Sequence, residues 1–342
     1  MRILHFIDSL DYGGAETLLM SYIPLLDDYE HTVVTLNGPN VYKKINSEYI
    51  QLNVKPVKCF VRAVRRLRKI ITQKKIDIVH THSFWTNIIS RLATPRGVRL
   101  FNHYHFADYD TMKHRPAVKK MILIDKISSR KSLTRIAVSE YVAKILRNTF
   151  PKATIKVIPN FINCMPTARD RHEARWELKV IAVGNCNTEK NYSVVFEAFE
   201  ALKDEPIKID IIGGGEFLEM YRGKVKASGL EKVYFYGLEP NVREKLLEYD
   251  LFLSASVSET FGIAVLEAVC AKLPLLLSAI PAFKEIAPKD ACFFNPSDKD
   301  DLILKLKGFL NDRRDIDYSD YERVLQKYSA QNFVFELRNL YN

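Results

Sequence analysis

Two glutamates stand eight residues apart in the C-terminal half of the chain, within the segment SVSETFGIAVLEA. Glu259 lies in a loop after the apolar run LFLSAS, and Glu267 follows on a helical pattern that begins near Phe261. The amides and the dipole at the start of such a helix favour a leaving diphosphate. Glu267 lies on an otherwise apolar face of this helix. A carboxylate is costly to bury there unless it accepts hydrogen bonds, and sugar hydroxyls are suitable donors. A structural salt bridge is the alternative for either glutamate taken singly.

Three glycine-rich turns follow apolar, strand-like runs. Gly13 and Gly14 open the first helical segment, Gly184 begins the turn GNCNTEKN, and Gly214 is the middle residue of GGG at 213–215. Glycines at such turns let backbone N–H groups approach a phosphate, and a lysine such as Lys190 can place its ammonium on a diphosphate. A plain strand-to-helix connection is the alternative for each turn taken alone, and a solvated lysine in the first helical turn is the favoured interpretation of Lys190 taken alone. The first turn is not the GxGxxG of dinucleotide-binding folds.

Short β-rich runs alternate with helical segments twice along the chain, which predicts βαβ units and parallel sheets in an α/β fold. The polar segment NCMPTARDRHEARWE separates the two series, so we predict two consecutive doubly wound domains, 1–165 and 166–320. The final segment, from about 317, reads as an amphipathic helix. Ligands in such sheets bind beyond the carboxyl ends of the strands, which is where the motifs fall. The predicted strand runs are ILHFI, TVVTL, IDIVHTH, VRLFNHYH, RIAVS, IKVIPN, KVIAVG, IKIDIIGGG, KVYFYG, LFLSAS, LPLLLS and ACFFN.

With these motifs in order, the chain resembles glycosyltransferase family 4, the retaining enzymes of GT-B fold, over nearly its whole length. The Glu-x7-Glu pattern is the most specific of the matching pieces. The resemblance implies two Rossmann-like doubly wound domains that face a central cleft, and a helix over 321–342 that crosses back to the N-terminal domain. The matching pieces are GGAE, AVSE at 137–140, IPN at 158–160, the glycine-to-KN spacing at 184–191, IIGGGE at 211–216, YFYGLEPNV at 234–242 and SETFGIAVLEA at 258–268.

The resemblance also implies roles for particular residues. Gly13 and Gly14 approach the donor diphosphate or the transferred sugar, and Lys190 binds the diphosphate. Glu259 contacts hydroxyls of the donor sugar, and Glu267 binds the nucleotide ribose. The donor-binding set further includes Gly184, Asn185, Gly214, Thr260, Phe261 and Gly262.

A histidine after an N-domain strand lies near the reacting sugar in this family, and NHYHF offers both His103 and His105. Capsule and exopolysaccharide enzymes show a similar His-x-His, which favours His105 and leaves His103 open.

Two residues depart from the family pattern. Asn185 stands where an arginine usually supplies a second cation for the diphosphate, and Phe161 stands where a small residue usually follows IPN.

A metal site is the competing interpretation for the two His-x-His pairs, His80 with His82 and His103 with His105. Alternation along a strand puts both members of each pair on one face, as in a ligand cluster. No cysteine or acid joins them at metal-ligand spacing, and the GT-B relatives bind diphosphate without a metal. We therefore expect no metal and no cofactor. The triplet Asp108-Tyr109-Asp110 resembles the DxD of the other major glycosyltransferase fold but follows no suitable strand, so we predict a surface loop.

Composition indicates a cytoplasmic globular protein. The 342 residues are enough for two domains of roughly 150–170 residues each. The sequence contains no apolar stretch of about 20 residues, and its start lacks the features of a secretory signal. Five scattered cysteines form no CxxC pair, so we expect them to be reduced. They are Cys59, Cys164, Cys186, Cys270 and Cys292.

Basic charge is confined to the N-terminal half. Residues 1–165 hold 27 Lys and Arg against 12 Asp and Glu (net +15), and residues 166–342 hold 24 against 29 (net −5), which sums to the overall +10. The segments 58–75 and 113–135 are basic and amphipathic, and we expect Phe60, Val61, Val64, Leu67, Ile70 and Ile71 to share one face of the first. This asymmetry favours contact with anionic lipid headgroups at the inner face of a membrane. A nucleic-acid partner is disfavoured because the sequence has no recognised binding motif.

The expected function is therefore that of a retaining glycosyltransferase. It moves a hexose or N-acetylhexosamine from a nucleoside-diphosphate sugar (UDP favoured, GDP possible) to a lipid-linked glycan in bacterial surface polysaccharide synthesis. Two alternatives stay open. One is a GT-B transferase with a soluble small-molecule acceptor, and the other is a catalytically weak relative that only binds nucleotide sugar.

Overall fold

The chain folds into two compact units of α/β structure. The structure, a computed structural model, describes residues 1–11, 13–42, 47–55, 58–129, 133–164, 176–239, 241–312 and 317–342. The first unit comprises Met1–Phe161 with Ala330–Asn342, and the second comprises Ile162–Ser329. The predicted division at 165 lies at the edge of a segment, 165–175, outside the described residues.

Within its described residues, the first unit contains a seven-stranded sheet of order β3-β2-β1-β4-β5-β6-β7, and all its strand pairs are parallel. The strand order reverses between β1 and β4, which is where ligands bind in doubly wound sheets. The strands are β1 Arg2–Ile7, β2 Glu30–Thr35, β3 Glu48–Gln51, β4 Ile78–Thr81, β5 Arg99–Tyr104, β6 Thr134–Ala137 and β7 Thr154–Val157. The helices are α1 Gly14–Tyr22, α2 Phe60–Gln73, α3 Phe84–Ala93, α4 Asp108–Thr111, α5 Pro116–Ile127, α6 Glu140–Thr149 and, from the C-terminus, α14 Ala330–Tyr341.

The second unit repeats the architecture over its described residues with a six-stranded sheet of order β10-β9-β8-β11-β12-β13. The strands are β8 Leu178–Val183, β9 Ile207–Ile212, β10 Val233–Gly237, β11 Leu251–Ser254, β12 Leu275–Ser278 and β13 Cys292–Phe294. The helices are α7 Tyr192–Ala201, α8 Leu218–Ser228, α9 Val242–Leu246, α10 Ile263–Cys270, α11 Pro281–Ile286, α12 Lys299–Asn311 and α13 Tyr318–Lys327. The α/β fold of parallel, doubly wound sheets is thus confirmed.

Alternation along the central strands sends side chains into two separate cores. In β1, Ile3 and Ile7 join one buried cluster with residues of α1 and α14, while Leu4 and Phe6 join another with residues of α2 and α3. Helices therefore cover both faces of this sheet, as parallel sheets require. His5 lies between Ile3 and Ile7 in the alternation, so its imidazole shares the face that α1 and α14 cover.

Four details differ from the sequence prediction. Strand β3 was not predicted, because its four residues EYIQ are only partly buried and carry no apolar run. The C-terminal segment forms two helices rather than one, since the backbone at Ser329 pairs with Ile162 and interrupts the helix. The triplet Asp108-Tyr109-Asp110 begins α4, and the Tyr109 side chain is buried. Val61 is 61 % exposed because Ala63, Leu67 and Ile71 form the buried face of α2.

A buried ion cluster fixes α5 to the sheet of the first unit. Arg91 Nη1 donates to Asp125 Oδ1 at 2.6 Å, and Arg135 Nη2 lies 3.5 Å from the same oxygen, with all three side chains buried. The hydroxyls of Tyr104 and Tyr109 donate to Asp125 Oδ2 at 3.0 and 2.7 Å. Burial, with the nearby carboxylate, raises the pKa of Tyr104 to about 12. One carboxylate thus balances two guanidinium groups away from water.

We expect Asp125→Asn to lower the free energy of unfolding by about 3–5 kcal/mol, because it leaves buried guanidinium groups without a counter-charge. Chemical denaturation of the purified variant measures the loss. Asp110→Asn is the matched control, since its ion pair with Lys113 is exposed and contributes less than about 1 kcal/mol. Equal effects of the two substitutions would contradict this account of the cluster.

Candidate active site

The glycine turns after β8 and β9 pack directly against each other in the second unit. Gly213, with φ of 153°, approaches the backbone carbonyl of Gly184 so closely that a Cβ has no space. At Gly215, with φ of 118°, an added Cβ would lie 2.7 Å from the backbone nitrogen of Cys186. Leu238 covers Gly214, the glycine between these two, because an added Cβ on Gly214 would lie 3.1 Å from Leu238 Cγ. The two loops thus pack together as one unit at the carboxyl ends of the neighbouring strands β8 and β9, and we call this unit the glycine turn.

Lys190 and Glu259 meet beside this turn. Lys190 ends the 3-10 turn Thr188–Lys190, and its side chain lies over Gly184, where an added Cβ would be 2.5 Å from Lys190 Cε. Its ammonium donates to Glu259 Oε1 at 2.5 Å, and Ser256 Oγ donates to the same oxygen at 3.1 Å. Both charged side chains are less than one-fifth exposed. The structure therefore brings together the lysine and glutamate that the sequence placed 69 residues apart.

Asn185 adds no charge to this group. It is exposed, and it directly follows Gly184. Among the described residues of this loop, Lys190 is therefore the cation at the turn. Position 185, where the family usually has an arginine, is uncharged. The weaker cationic character that the sequence indicated is a property of the folded turn as well.

Glu267 lies on α10 and pairs with Arg243, which sequence analysis did not single out. Arg243 Nε donates to Glu267 Oε1 at 3.3 Å and Arg243 Nη1 donates to the carbonyl of Asn163 at 3.0 Å. Burial raises the pKa of Glu267, and the arginine beside it lowers the pKa in part. The salt bridge considered as the alternative for this glutamate is therefore present. The Arg243 side chain is 56 % exposed and the Glu267 side chain is 19 % exposed.

Helix α10 begins two residues later than predicted. Gly262, with φ of 100°, precedes its first residue, Ile263. Phe261 is buried with its ring edge-on to Tyr328, at 5.3 Å between centroids, so its side chain anchors the loop. Thr260 is half-buried between Glu259 and this anchor. The loop thus reaches the helix start through one buried aromatic side chain and one left-handed glycine.

Two cysteines that were expected to be reduced form a disulfide. Cys164 and Cys270 are bonded, with Cα atoms 5.8 Å apart. The prediction was wrong because 106 residues separate the two in sequence, and no spacing rule indicated that the segment after β7 returns to the end of α10. The disulfide therefore links the segment after β7 to α10, the helix that carries Glu267. Cys59 and Cys186 are free thiols.

In the first unit, carboxyl groups lie beside the turn that Gly13 and Gly14 form. Gly13 caps α1, and the Glu16 carboxylate occupies the space that a side chain on Gly13 would need. Burial raises the pKa of Glu16, with smaller contributions from Asp8 and Asp11. Three carboxyl groups near this turn disfavour a second phosphate-binding loop here, because carboxylates repel a phosphate. Of the two roles implied by the resemblance, contact with sugar hydroxyls fits this turn better.

Asp8 is a further polar group at this turn that sequence analysis missed. It directly follows β1, and burial raises the pKa of its carboxyl group, which Ser83 partly offsets through a hydrogen bond. Its Oδ1 is buried and has no partner among the described residues. An acid at the end of a buried strand was the signal that could have found it.

His103 and His105 lie in a larger group of histidines. His103 is fully buried at the end of β5, and its Nδ1 lies 3.3 Å from His80 Nε2. His105 is partly buried, and its Nε2 lies 3.4 Å from His82 Nδ1. Burial lowers the pKa of His105 to about 3 and lowers that of His103 well below its ordinary value, with nearby histidines adding to the effect on His103. Both are neutral at physiological pH, and the more accessible of the two is His105.

Comparison with known proteins follows the division into two units. Residues 12–165 match the family model described as Glycosyltransferase Family 4, and residues 167–330 match the one described as Glycosyl transferases group 1. The chain belongs to the glycosyltransferases of family 4, and its fold is GT-B, so both the family and the fold predicted from the sequence are confirmed.

The relatives include synthases of glycolipids and surface polysaccharides. The chain is 27 % identical over 47 % of its length to sulfoquinovosyl transferase SQD2 of Arabidopsis thaliana, of which the match covers 32 %. It is 27 % identical over 64 % of its length to the O-antigen biosynthesis glycosyltransferase WbnH of Escherichia coli, covering 58 % of that protein. Alpha-monoglucosyldiacylglycerol synthase of Streptococcus pneumoniae is 23 % identical over the full chain, with 85 % of the relative covered. The chain thus spans less than two thirds of the first two of these relatives.

A solved structure supports the fold. HepE from Anabaena, determined in complex with UDP and glucose, superposes with a TM-score of 0.80 at 15 % identity, covering 99 % of this chain and 98 % of HepE. At this identity the likeness establishes the fold alone. The roles assigned to individual residues therefore stay predictions.

We expect the Cys164–Cys270 bond to contribute about 2–5 kcal/mol to the stability of the second unit, because it restricts a long loop in the unfolded chain. Reductant should lower the denaturation midpoint of the wild-type protein. It should leave the midpoint of a Cys164→Ser, Cys270→Ser double variant unchanged, and Cys59→Ser, which removes a free thiol, should respond to reductant as the wild type does. Titration of five free thiols in unreduced, denatured protein would contradict the pairing.

Proposed function

We propose that this glycosyltransferase transfers a hexose or N-acetylhexosamine from a nucleoside-diphosphate sugar with retention of anomeric configuration. The observation that carries the proposal is the Lys190–Glu259 pair at the glycine turn after β8. A part-buried ammonium that can exchange its carboxylate partner for a diphosphate is suited to a leaving group that gains negative charge. UDP is favoured over GDP, and the UDP complex of the structurally similar HepE supports that preference.

Donor binding would rearrange the pair as follows. The diphosphate takes the Lys190 ammonium, which frees the Glu259 carboxylate to accept hydrogen bonds from hydroxyls of the donor sugar. Glu267 accepts hydrogen bonds from the ribose. The bond between the anomeric carbon and the diphosphate oxygen breaks with its electron pair on the oxygen. The acceptor hydroxyl oxygen then bonds to that carbon from the same face, and its proton passes to the departing diphosphate.

The donor step needs no metal in this proposal. Lys190 supplies positive charge, and the backbone N–H groups near Gly262 supply further hydrogen-bond donors. Asn185 leaves the site with one cation fewer than the family pattern, which favours a second candidate function, that of a catalytically weak protein that only binds nucleotide sugar. Turnover measured alongside binding distinguishes the two.

The acceptor in our proposal is a lipid-linked glycan at an anionic membrane surface. Exposed basic residues line α2, and Val61 on the same helix is 61 % exposed. On α5, Leu123 and Ile127 are 56 % and 76 % exposed beside further lysines. Basic helices with exposed apolar side chains bind the headgroup region of anionic bilayers. No helix in the described ranges is long and apolar enough to span a bilayer. A soluble small-molecule acceptor is the alternative that vesicle binding tests.

We expect UDP to raise the unfolding midpoint of the protein in metal-free buffer by about 5 °C or more at a hundredfold excess over Kd. GDP, ADP and CMP serve as comparisons, and magnesium is added in a second series. Lys190→Ala and Glu267→Ala should each weaken UDP binding about ten- to a hundredfold, since each removes a charge-assisted contact. Glu259→Ala should mainly lose turnover of the UDP-sugar.

Lys208→Ala is the matched control for Lys190→Ala, because Lys208 also pairs with a glutamate in the second unit and lies outside the glycine turn. Unchanged nucleotide binding in the Lys190 and Glu267 variants would overturn the site assignment. A folded protein that binds UDP but forms no product from any UDP-sugar tested would favour the weak, binding-only candidate.

We expect the protein to sediment with vesicles that contain anionic phosphatidylglycerol and not with neutral phosphatidylcholine vesicles. The exposed residues Arg62, Arg65 and Lys69 share one side of α2, and reversing all three to glutamate should weaken binding about a hundredfold or more, at about 1 kcal/mol per charge. Reversal of three exposed lysines of the second unit, Lys203, Lys224 and Lys226, is the control and should have little effect. Equal losses in both triple variants would indicate a response to net charge alone.

A further inference from the structure

Six of the eight histidines lie together in the first unit, and we call them the imidazole cluster. They come from β1, β2, β4 and β5 and from the residues directly after β4 and β5. Nitrogen-to-nitrogen distances of 3.0–3.4 Å join neighbouring rings, and within the described part of the chain the rings bond to one another, to tyrosine hydroxyls and to a backbone carbonyl. The cluster comprises His5, His31, His80, His82, His103 and His105.

Within the cluster, three rings bring nitrogen atoms close together. One nitrogen each from His82, His103 and His105 lies within 4.8 Å of the others. The separation of His82 Nδ1 from His105 Nε2 is 3.4 Å, which is long for a hydrogen bond between two rings. It matches the separation of about 3.3–3.4 Å between two ligand nitrogens on a tetrahedral ion with bonds of about 2.0–2.1 Å. His103 Nε2 is buried and has no partner among the described residues, so this nitrogen is available as a third ligand.

We propose that His82, His103 and His105 bind a late first-row divalent cation, for which Zn²⁺ has the best-matched geometry. Three neutral imidazoles are a ligand set that zinc, copper and nickel prefer over magnesium or calcium. Three protein ligands leave a fourth position for water. His105 is the partly exposed member of the set, and it gives the ion a path from solvent.

The outer nitrogens of His82 and His103 are arranged as a bound metal requires. A metal-bound histidine donates its second ring N–H to an acceptor, which fixes its tautomer. The Tyr22 hydroxyl lies 3.3 Å from His82 Nε2, and His80 Nε2 lies 3.3 Å from His103 Nδ1. His80 in turn places its Nδ1 2.6 Å from the Tyr341 hydroxyl, so it can donate there while it accepts from His103. A single assignment of protons therefore satisfies these contacts once the ion is bound.

A second set, His5 with His80 and His82, also has nitrogens within 4.8 Å of one another, but its nitrogens are already in use. His5 contacts His31 through Nε2 at 3.0 Å and the Tyr22 hydroxyl through Nδ1 at 3.2 Å. His80 has a partner at each nitrogen. This set therefore needs several existing hydrogen bonds to break, whereas the set at the ends of β4 and β5 gives up the long 3.4 Å contact between His82 and His105.

The test uses the tag-free, full-length chain stripped with a chelator, with Zn²⁺ and Co²⁺ as probes. We expect the wild type to take up one Zn²⁺ in competition with a chromophoric chelator, and Co²⁺ to give the intense visible bands of tetrahedral coordination. His105→Gln replaces the most accessible ligand and should weaken Zn²⁺ binding more than about a hundredfold, because loss of an outer partner alone costs about ten- to a hundredfold. Tyr22→Phe, which removes such a partner, should fall in that smaller range.

His31→Gln is the matched control, because His31 belongs to the imidazole cluster and not to the ligand set. It should bind Zn²⁺ like the wild type, and Zn²⁺ should raise the unfolding midpoint of both proteins while leaving that of His105→Gln unchanged. Folded, stripped wild type that takes up no Zn²⁺, or equal affinities of the His31 and His105 variants, would overturn the proposal. Neither readout depends on transferase activity, so the donor site can fail its own test independently.

Discussion

Parallel strands buried on both faces leave only their carboxyl ends for polar chemistry, and this constraint organises both units. The central strands β1, β4, β11 and β12 are almost wholly buried. Any polar group within them must find its partner inside the protein, because an unpaired buried group costs free energy. In the first unit that requirement is met by rings that share protons with one another and with tyrosine hydroxyls. In the second unit the charged groups are placed after the strands, where they can stay paired until a ligand arrives.

The glycine turn shows how closely the backbone itself determines the donor site. Gly213 packs against the backbone of Gly184 so closely that no side chain fits between the two loops. Lys190 lies flat over Gly184 because no Cβ blocks it, and that position brings its ammonium to Glu259. A side chain at Gly184 would push the lysine away and separate the pair. The charge pair and the glycine are therefore one feature, which explains why the spacing from glycine to lysine is informative in sequence.

Sequence was sufficient for features that local pattern determines and insufficient for those that depend on distant contacts. Apolar runs located twelve strands, whereas the short edge strand at Glu48–Gln51 lacks such a run. The motifs singled out Lys190 and Glu259, which lie in the loops after β8 and β11, and their roles in donor binding stay predictions. Arg243 gave no signal, because its contact with Glu267 depends on how α9 packs beside α10. The prediction of reduced cysteines was wrong for the same reason, since tertiary structure in the second unit brings Cys164 and Cys270 together.

The histidines illustrate the limit of pattern most clearly. Alternation predicted that each His-x-His pair shares a face, and the structure puts both pairs on the face that α1 and α14 cover. Alternation along single strands did not indicate that β4 and β5 are neighbours, which is what brings His82 to His105. Nor did it indicate that the last residues of the chain return to this face, where Tyr341 contacts His80. A site made of several strands follows from the order of strands in the sheet, and the sequence of any one strand does not contain that order.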